Sequence, residues 1–204
     1  YSVISCGVDI QRFENPSIVS LTDNRKIVLG YLGGLQKWQN IDKVLDIVIS
    51  LRRYNSDIFF ALFTNDLTTE IVDKLNVIGH ENYLIKSLKF SEVPDYLYSL
   101  DAGFLIREYL PLNIVSSPTK TVEYLASGVP VICTQYSGDF RRSINHLFEG
   151  FILKDIFPTE SEIIDLNNYL INLKKNREWF RDICRLSASK RTWGAEFSNF
   201  FKNV

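Results

Sequence analysis

Methionine is absent from the whole chain, and cysteine, histidine and proline are sparse, at three, two and six among 204 residues. Cys6, Cys133 and Cys184 are odd in number and far apart, so they supply no disulfide framework, no Cys-x-x-Cys pair and no zinc spacing. Two histidines do not complete a metal set with them, and this usage leads to the expectation of a reduced, cytoplasmic compartment. Neither sign of charge prevails: 23 Lys and Arg stand against 24 Asp and Glu, and the basic residues are scattered. Nucleic acid as the main partner and a polybasic membrane anchor are thereby excluded, and any anion site has to be local. No apolar run approaches the ~20 residues of a membrane span, and no stretch near Tyr1 has the pattern of a signal peptide, so this portion is expected to be soluble. The start at Tyr1 without any methionine leads to the expectation that the sequence is a piece of a longer protein.

What the chain has in quantity is apolar side chains, 46% hydrophobic with 13% aromatic, enough to bury a sizeable core as one domain with at most a small extension. From Lys26 onward short apolar runs alternate with amphipathic stretches, the pattern of βαβ units and a parallel sheet. Six strands are expected, at 27–33, 58–64, 83–88, 102–107, 130–133 and 150–153. Helices are expected at about 41–53, where Val44, Leu45, Val48 and Leu51 line one face, at 68–75, and at 91–98 with Ser91 as cap. A short helix is expected near Phe140 to Ile144, and three helices close the chain. The longest loop without assigned structure, Glu108 to Ser116, falls at the carboxyl end of the fourth strand, the edge where such sheets take ligands, which makes it a candidate lid or sugar contact.

The stretch SSPTKTVEYLASGVPVICT, Ser116 to Thr134, carries the chemistry. Ser117 is placed to cap a helix, Pro118 suits its first turn, Val122, Leu125 and Ala126 give it one apolar face, and Gly128 is placed to end it before a buried strand. Unpaired amides at such a helix start favour an anion, and Lys120 adds a full positive charge beside them. Glu123, one turn further on, would repel a bare phosphate but suits the hydroxyls of a ribose attached to one, so together they suggest a nucleotide. A plain helix and strand of an α/β core, with Ser-Pro as ordinary capping and Glu123 in solvent, is the alternative.

This segment resembles the donor-site signature of family 4 retaining glycosyltransferases, specifically a bacterial branch reading SPTK, then Glu-Tyr-Leu-Ala, then Gly-x-Pro-Val-Ile, and every one of those positions is filled here from Ser117 to Ile132. The likeness runs along nearly the whole chain. VISCGVDIQRF (Val3 to Phe13) resembles the stretch by which the family's chain enters its second domain. NYLIKSLKFSEVPDYLYSLDAGFLI is similar to its next strand, helix and strand, and Trp193 to the tryptophan of its closing helix. The resemblance implies the C-terminal half of a GT-B enzyme: a Rossmann-like α/β domain with a parallel sheet of about six strands, helices on both faces and C-terminal helices. Residues 1–25 would lead in from the other domain, 26–190 would form the donor-binding domain, and 191–204 the closing helix.

By the same resemblance the helix start at Ser117, Pro118 and Thr119, through its free amides and with Lys120, holds the diphosphate of a nucleotide sugar, and Glu123 holds the ribose. Two departures stand out. The family's glycine loop carries an Arg and a Lys where this chain has Gly34, after Gly33, and Gln39. Lys37 and Arg107 are the substitutes at hand, with a solvated loop lysine and an Arg107 pair with Glu108 or Asp101 as the alternatives. Val115 replaces a glutamate that contacts the donor sugar, which leaves Asn113 or the main chain around Ser116 for that contact. His80 and His146, beside turn-like residues, are expected to be solvated surface histidines.

The leading expectation is therefore the nucleotide-sugar-binding domain of a cytoplasmic glycosyltransferase that builds a bacterial surface polysaccharide or glycolipid. The donor is its partner, its acceptor domain lies outside this chain, and it needs neither metal nor cofactor, since no Asp-x-Asp cluster occurs and cations can do that work. Half of a nucleotide-sugar epimerase of the same fold, and a non-catalytic α/β docking module that has lost its basic pair, are the other readings.

Overall fold

The computed structural model describes residues 5–139 and 144–202. The apolar runs form six strands, β1 (Ile27–Leu32), β2 (Ile58–Phe63), β3 (Tyr83–Lys86), β4 (Ala102–Leu105), β5 (Val131–Thr134) and β6 (Gly150–Leu153). They make one sheet in the order β3-β2-β1-β4-β5-β6, and every pairing is parallel. Strands buried on both faces need apolar residues at successive positions, and β2 is buried at all six of its residues.

Helices α1 (Ile41–Tyr54), α2 (Thr69–Ile78) and α6 (Glu160–Lys175) cover one face, where Leu29, Tyr31, Phe60 and Leu62 meet Val44, Leu45, Leu75, Leu166 and Leu170. Helices α3 (Val93–Tyr98), α5 (Thr119–Ala126) and α7 (Arg177–Ser189) cover the other, where Val28, Phe59 and Phe63 share a core with Leu97, Val122, Leu125 and Cys184. Each aliphatic side chain buried in this way contributes about 1.5–3 kcal/mol. The remaining helices are α4 (Pro111–Val115) and α8 (Trp193–Lys202). The α/β, Rossmann-like class expected from the sequence, with helices on both faces and closing helices at the end, is the observed one.

Several element ends differ from the sequence reading for identifiable reasons. Thr68 lies before α2 as its cap, its hydroxyl accepting the Ile71 N–H, and the helix runs on to Ile78. Ser91 does not cap α3, because Glu92 is the N-cap and its carboxylate accepts the Lys89 N–H at 2.8 Å. The presumed loop 108–116 contains α4, and the expected short helix near Phe140 falls outside the described residues for its first four positions. Gly128 does end α5: with φ of 73° it is the left-handed residue of a Schellman motif, the Gly128 N–H bonding Leu125 O and the Val129 N–H bonding Tyr124 O.

Two contacts hold α5 in a fixed position over the sheet. A side chain on Gly103 of β4 would sit 2.5 Å from the Tyr124 ring, so the missing Cβ makes the space the ring occupies. Through that gap the Tyr124 hydroxyl accepts the Leu32 N–H at 3.0 Å, tying the helix to the end of β1. At the opposite edge of the sheet the fully buried carboxylate of Asp101 accepts the Val28 N–H at 2.8 Å and pairs with Lys174 at 3.0 Å and Arg177 at 3.1 Å. The lead-in segment packs onto the domain through Val8, whose N–H bonds Arg191 O at 2.9 Å, and the buried Phe13.

Candidate functional site

The strand order reverses between β1 and β4, and in open parallel sheets the crevice outside the carboxyl ends of the strands at that point is where ligands bind. Here it receives Tyr31 from β1, Gly33 from the residue after it, Arg107 from just beyond β4, and Lys120 from the first turn of α5. Lys120 precedes Tyr124 by one helical turn, so the contact that docks Tyr124 on Leu32 also sets Lys120 over Gly33. Gly33 has φ of 132°, and a Cβ there would meet the Lys120 ammonium at 2.5 Å. Only glycine suits both that backbone and that space.

Lys120 donates to the Tyr31 hydroxyl at 3.0 Å and to Gln39 Oε1 at 2.9 Å, with its Nζ 4.4 Å from the Tyr31 ring centre. Arg107 donates from Nη2 to the same Gln39 oxygen at 2.7 Å. Its Nη1 bonds the Trp38 and Ile106 carbonyls, both at 3.3 Å, and its backbone N–H bonds Thr134 Oγ1 at 3.1 Å. Two cations thus converge on one neutral acceptor, and neither takes part in an ion pair closer than 4.0 Å among the described residues. Burial, and then the neighbouring Arg107, bring the Lys120 ammonium down to about 7, while Glu123 acts the other way. Burial likewise lowers the Arg107 guanidinium and raises the Tyr31 phenol, which therefore keeps its proton and gives it to Gly34 O at 2.7 Å.

Glu123 lies one turn along the same helix. Burial raises its carboxyl above the ordinary value against the pull of Arg12 and Lys120. Arg12, its nearest cation, stands at 4.0 Å and is itself stacked on Phe90 at 3.5 Å. Among the described residues the Glu123 carboxylate accepts no hydrogen bond, so its oxygens are available to hydroxyl donors.

The remaining sequence candidates are distributed unevenly. Ser117 is not the helix cap: Pro118 holds that position, and Ser117 Oγ accepts the Cys6 N–H at 2.8 Å, which fixes the lead-in segment instead. Thr119 and Lys120 open α5, and Gly34 shapes the loop after β1. Lys37 is exposed on the short turn Lys37–Gln39 and lines a separate hollow of about 590 Å³ with Asn40, Thr68 and Glu108, apart from the Arg107 and Lys120 cluster. The alternative for Arg107, a pair with Glu108 or Asp101, is not among the ion pairs of the described residues. Asn113 is 2% exposed and turned into its own loop, donating to Glu108 O at 3.1 Å, while Ser116 Oγ donates to Asn113 O at 2.8 Å. The Ser116 carbonyl accepts the Asp139 N–H at 3.0 Å, which brings the Gly138 turn against the start of α5. His80 and His146 both lie exposed, as expected, and His146 Nδ1 in addition accepts the Ile152 N–H at 3.1 Å, with partial burial lowering its pKa. Sequence reasoning missed Tyr31 and Gln39. Tyr31 looked like strand core, and Gln39 was noted only as the place of a missing lysine.

An open parallel sheet with two cations and a helix start at its switch point is a Rossmann-like arrangement. No protein-family model matches the chain, and no curated protein matches it. Solved structures do match its fold. The C-terminal domain of LpcC, a glycosyl transferase group 1 family protein from Francisella tularensis, superposes with a TM-score of 0.68 at 18% identity, over 91% of this chain and 98% of that one. HepE of Anabaena, crystallised with UDP and glucose, gives 0.71 at 15% identity, and WaaG, a glycosyltransferase involved in lipopolysaccharide biosynthesis, 0.71 at 12%. Each of those two matches 97% of this chain, which spans 55% of their length. The fold is that of the C-terminal, Rossmann-like domain of GT-B glycosyltransferases.

Proposed function

We propose that this chain is the nucleotide-sugar-binding domain of a retaining, family 4 glycosyltransferase of the SPTK branch, which passes a sugar from a nucleoside diphosphate to a polysaccharide or glycolipid acceptor. The observation that carries the reading is the convergence of the buried Arg107 and the partly buried Lys120 beside the start of α5, neither with a carboxylate partner within 4.0 Å among the described residues. A diphosphate leaving group gains most from donors fixed before it arrives in a site shielded from water. Arg107, Lys120 and the amides of Gly33, Gly34 and Thr119 would share that charge, and Glu123 would take the ribose hydroxyls. These cations would do the work of a metal, with Lys37 at the margin. The acceptor would be bound by a second domain of the longer protein, as the coverage of HepE and WaaG supports.

Calorimetric titration of the chain with UDP, GDP, ADP and their sugars tests this. At about 1.5–3 kcal/mol for a charge-assisted hydrogen bond from a ribose hydroxyl, Glu123→Ala should weaken the one accepted nucleotide by roughly 10- to 150-fold while the fold stays intact. An unchanged affinity removes Glu123 from the site. The observation favouring a second reading, a docking module without donor, is the presence of Gly34 and Gln39 where the resembling family has Arg and Lys, and absence of nucleotide binding would select it.

A further inference from the structure

Gln39 sits where the site's two cations meet. Its carboxamide oxygen accepts from Arg107 Nη2 at 2.7 Å and from Lys120 Nζ at 2.9 Å, with the Tyr31 hydroxyl a longer third donor at 3.2 Å whose proton is shared with Gly34 O at 2.7 Å. The geometry is that of a single phosphate oxygen held between a guanidinium and an ammonium, with a neutral dipole in the anion's place. Both protons of Arg107 Nη1 go to the Trp38 and Ile106 carbonyls, and one proton of Lys120 goes to the Tyr31 hydroxyl. A phosphate oxygen that accepts the two protons now given to Gln39 takes the point that its Oε1 occupies.

We infer that Gln39 is an internal competitor for the diphosphate: its side chain holds Arg107 and Lys120 together and gives up both donors to a phosphate oxygen on binding, so that it sets the donor's affinity. This rests on the anion-binding reading above. The side chain can leave without unfolding its surroundings, because it belongs to a three-residue turn at the edge of the crevice rather than to a strand or a long helix. The short turn is closed by backbone bonds of its own, from the Gln39 N–H to Gln36 O at 2.8 Å and from the Asn40 N–H to Lys37 O at 3.2 Å. The opposite role, an amide that stays in place and supports the ligand, predicts the reverse sign on truncation.

The test is titration of the chain and of two variants with inorganic pyrophosphate and with UDP. Gln39→Ala removes the competing acceptor and should bind both probes roughly three- to tenfold tighter, the net worth of about one side-chain hydrogen bond. Gln39→Glu has the same shape, pairs permanently with both cations, and should weaken both probes by at least about 30-fold. It should also raise the melting temperature, which separates lost binding from lost folding. UDP binding to the unaltered chain with Gln39→Ala equal or weaker overturns the competitor role and leaves the donor site standing. Tighter pyrophosphate binding by Gln39→Ala with no preference for UDP supports the competitor role and removes the nucleotide reading. Failure of all three proteins to bind either probe overturns both.

Discussion

Raising the pH from 7 to 9 should weaken nucleoside diphosphate binding, and Lys120 is the reason. In the free protein its ammonium is held at about 7 rather than its ordinary 10.5. Burial in the crevice is the larger cause and Arg107 the next. The groups facing it are Tyr31 from β1, Gln39 from the turn, Arg107 from just beyond β4 and Glu123 from its own helix. A bound diphosphate adds negative charge beside the amine and favours its protonated form. The sign then follows: the form that binds is the protonated one, and the free protein loses it as pH rises through about 7. With the amine fully charged in the complex, the apparent dissociation constant grows roughly 50-fold between pH 7 and pH 9, about 2 kcal/mol. The ligand's terminal phosphate is already ionised above about pH 7, so it does not mask the trend. Calorimetry at pH 7, 8 and 9, run in buffers of different ionisation enthalpy, reads both the affinity and the protons taken up. Uptake should rise from about half a proton per site at pH 7 to about one at pH 9. Lys120→Met should bind weakly at all three values with no uptake. A constant affinity for the unaltered chain across this range, without proton uptake, would refute the placement of Lys120 against the phosphates.

Two further predictions concern how the scaffold holds the site. Asp101→Ala leaves Lys174 and Arg177 without their buried carboxylate and the Val28 N–H without its acceptor, so it should cost about 3 kcal/mol in urea unfolding, the lower end for breaking a buried pair because both cations reach water. A loss below about 1 kcal/mol would show that the network contributes little. Gly103→Val pushes the Tyr124 ring off the sheet and should abolish nucleotide binding together with a drop in melting temperature. Retention of full affinity would mean that α5 does not need its Leu32 contact to place Lys120.

How much of this could be seen beforehand depended on the range of the interaction. Strands β1, β2 and β6 and helix α1 were legible because continuous apolar runs and a three-and-four spacing are local signals. So was the end of α5, where a glycine precedes a buried strand. Helix α4 was not, since five residues beginning at Pro111 show no full period and Leu112, Ile114 and Val115 all lie exposed. Ser117 was misassigned because a serine before a helix has two possible employers, and the distant Cys6 amide won over the local one. Arg107, Lys120 and Gly33, expected together from the resemblance and the helix start, lie side by side at the switch point. Gln39 was not foreseen there, because a neutral amide carries no charge signal and the two cations that meet it are 68 and 81 positions away.

The two glycines beneath α5 have a consequence for how this site can change over evolutionary time. Gly33 makes way for Lys120 and Gly103 for Tyr124, so one face of a single helix is matched, turn by turn, to gaps in two neighbouring strands. Position 33 is closed to any side chain by its backbone whatever stands at 120, while a larger residue at 103 would have to be accompanied by the loss of the ring at 124. Substitutions at 103 and 124 should therefore arrive as a couple, whereas Gln39, on a short turn at the edge of the crevice, is the part of the cluster where affinity can be retuned one mutation at a time.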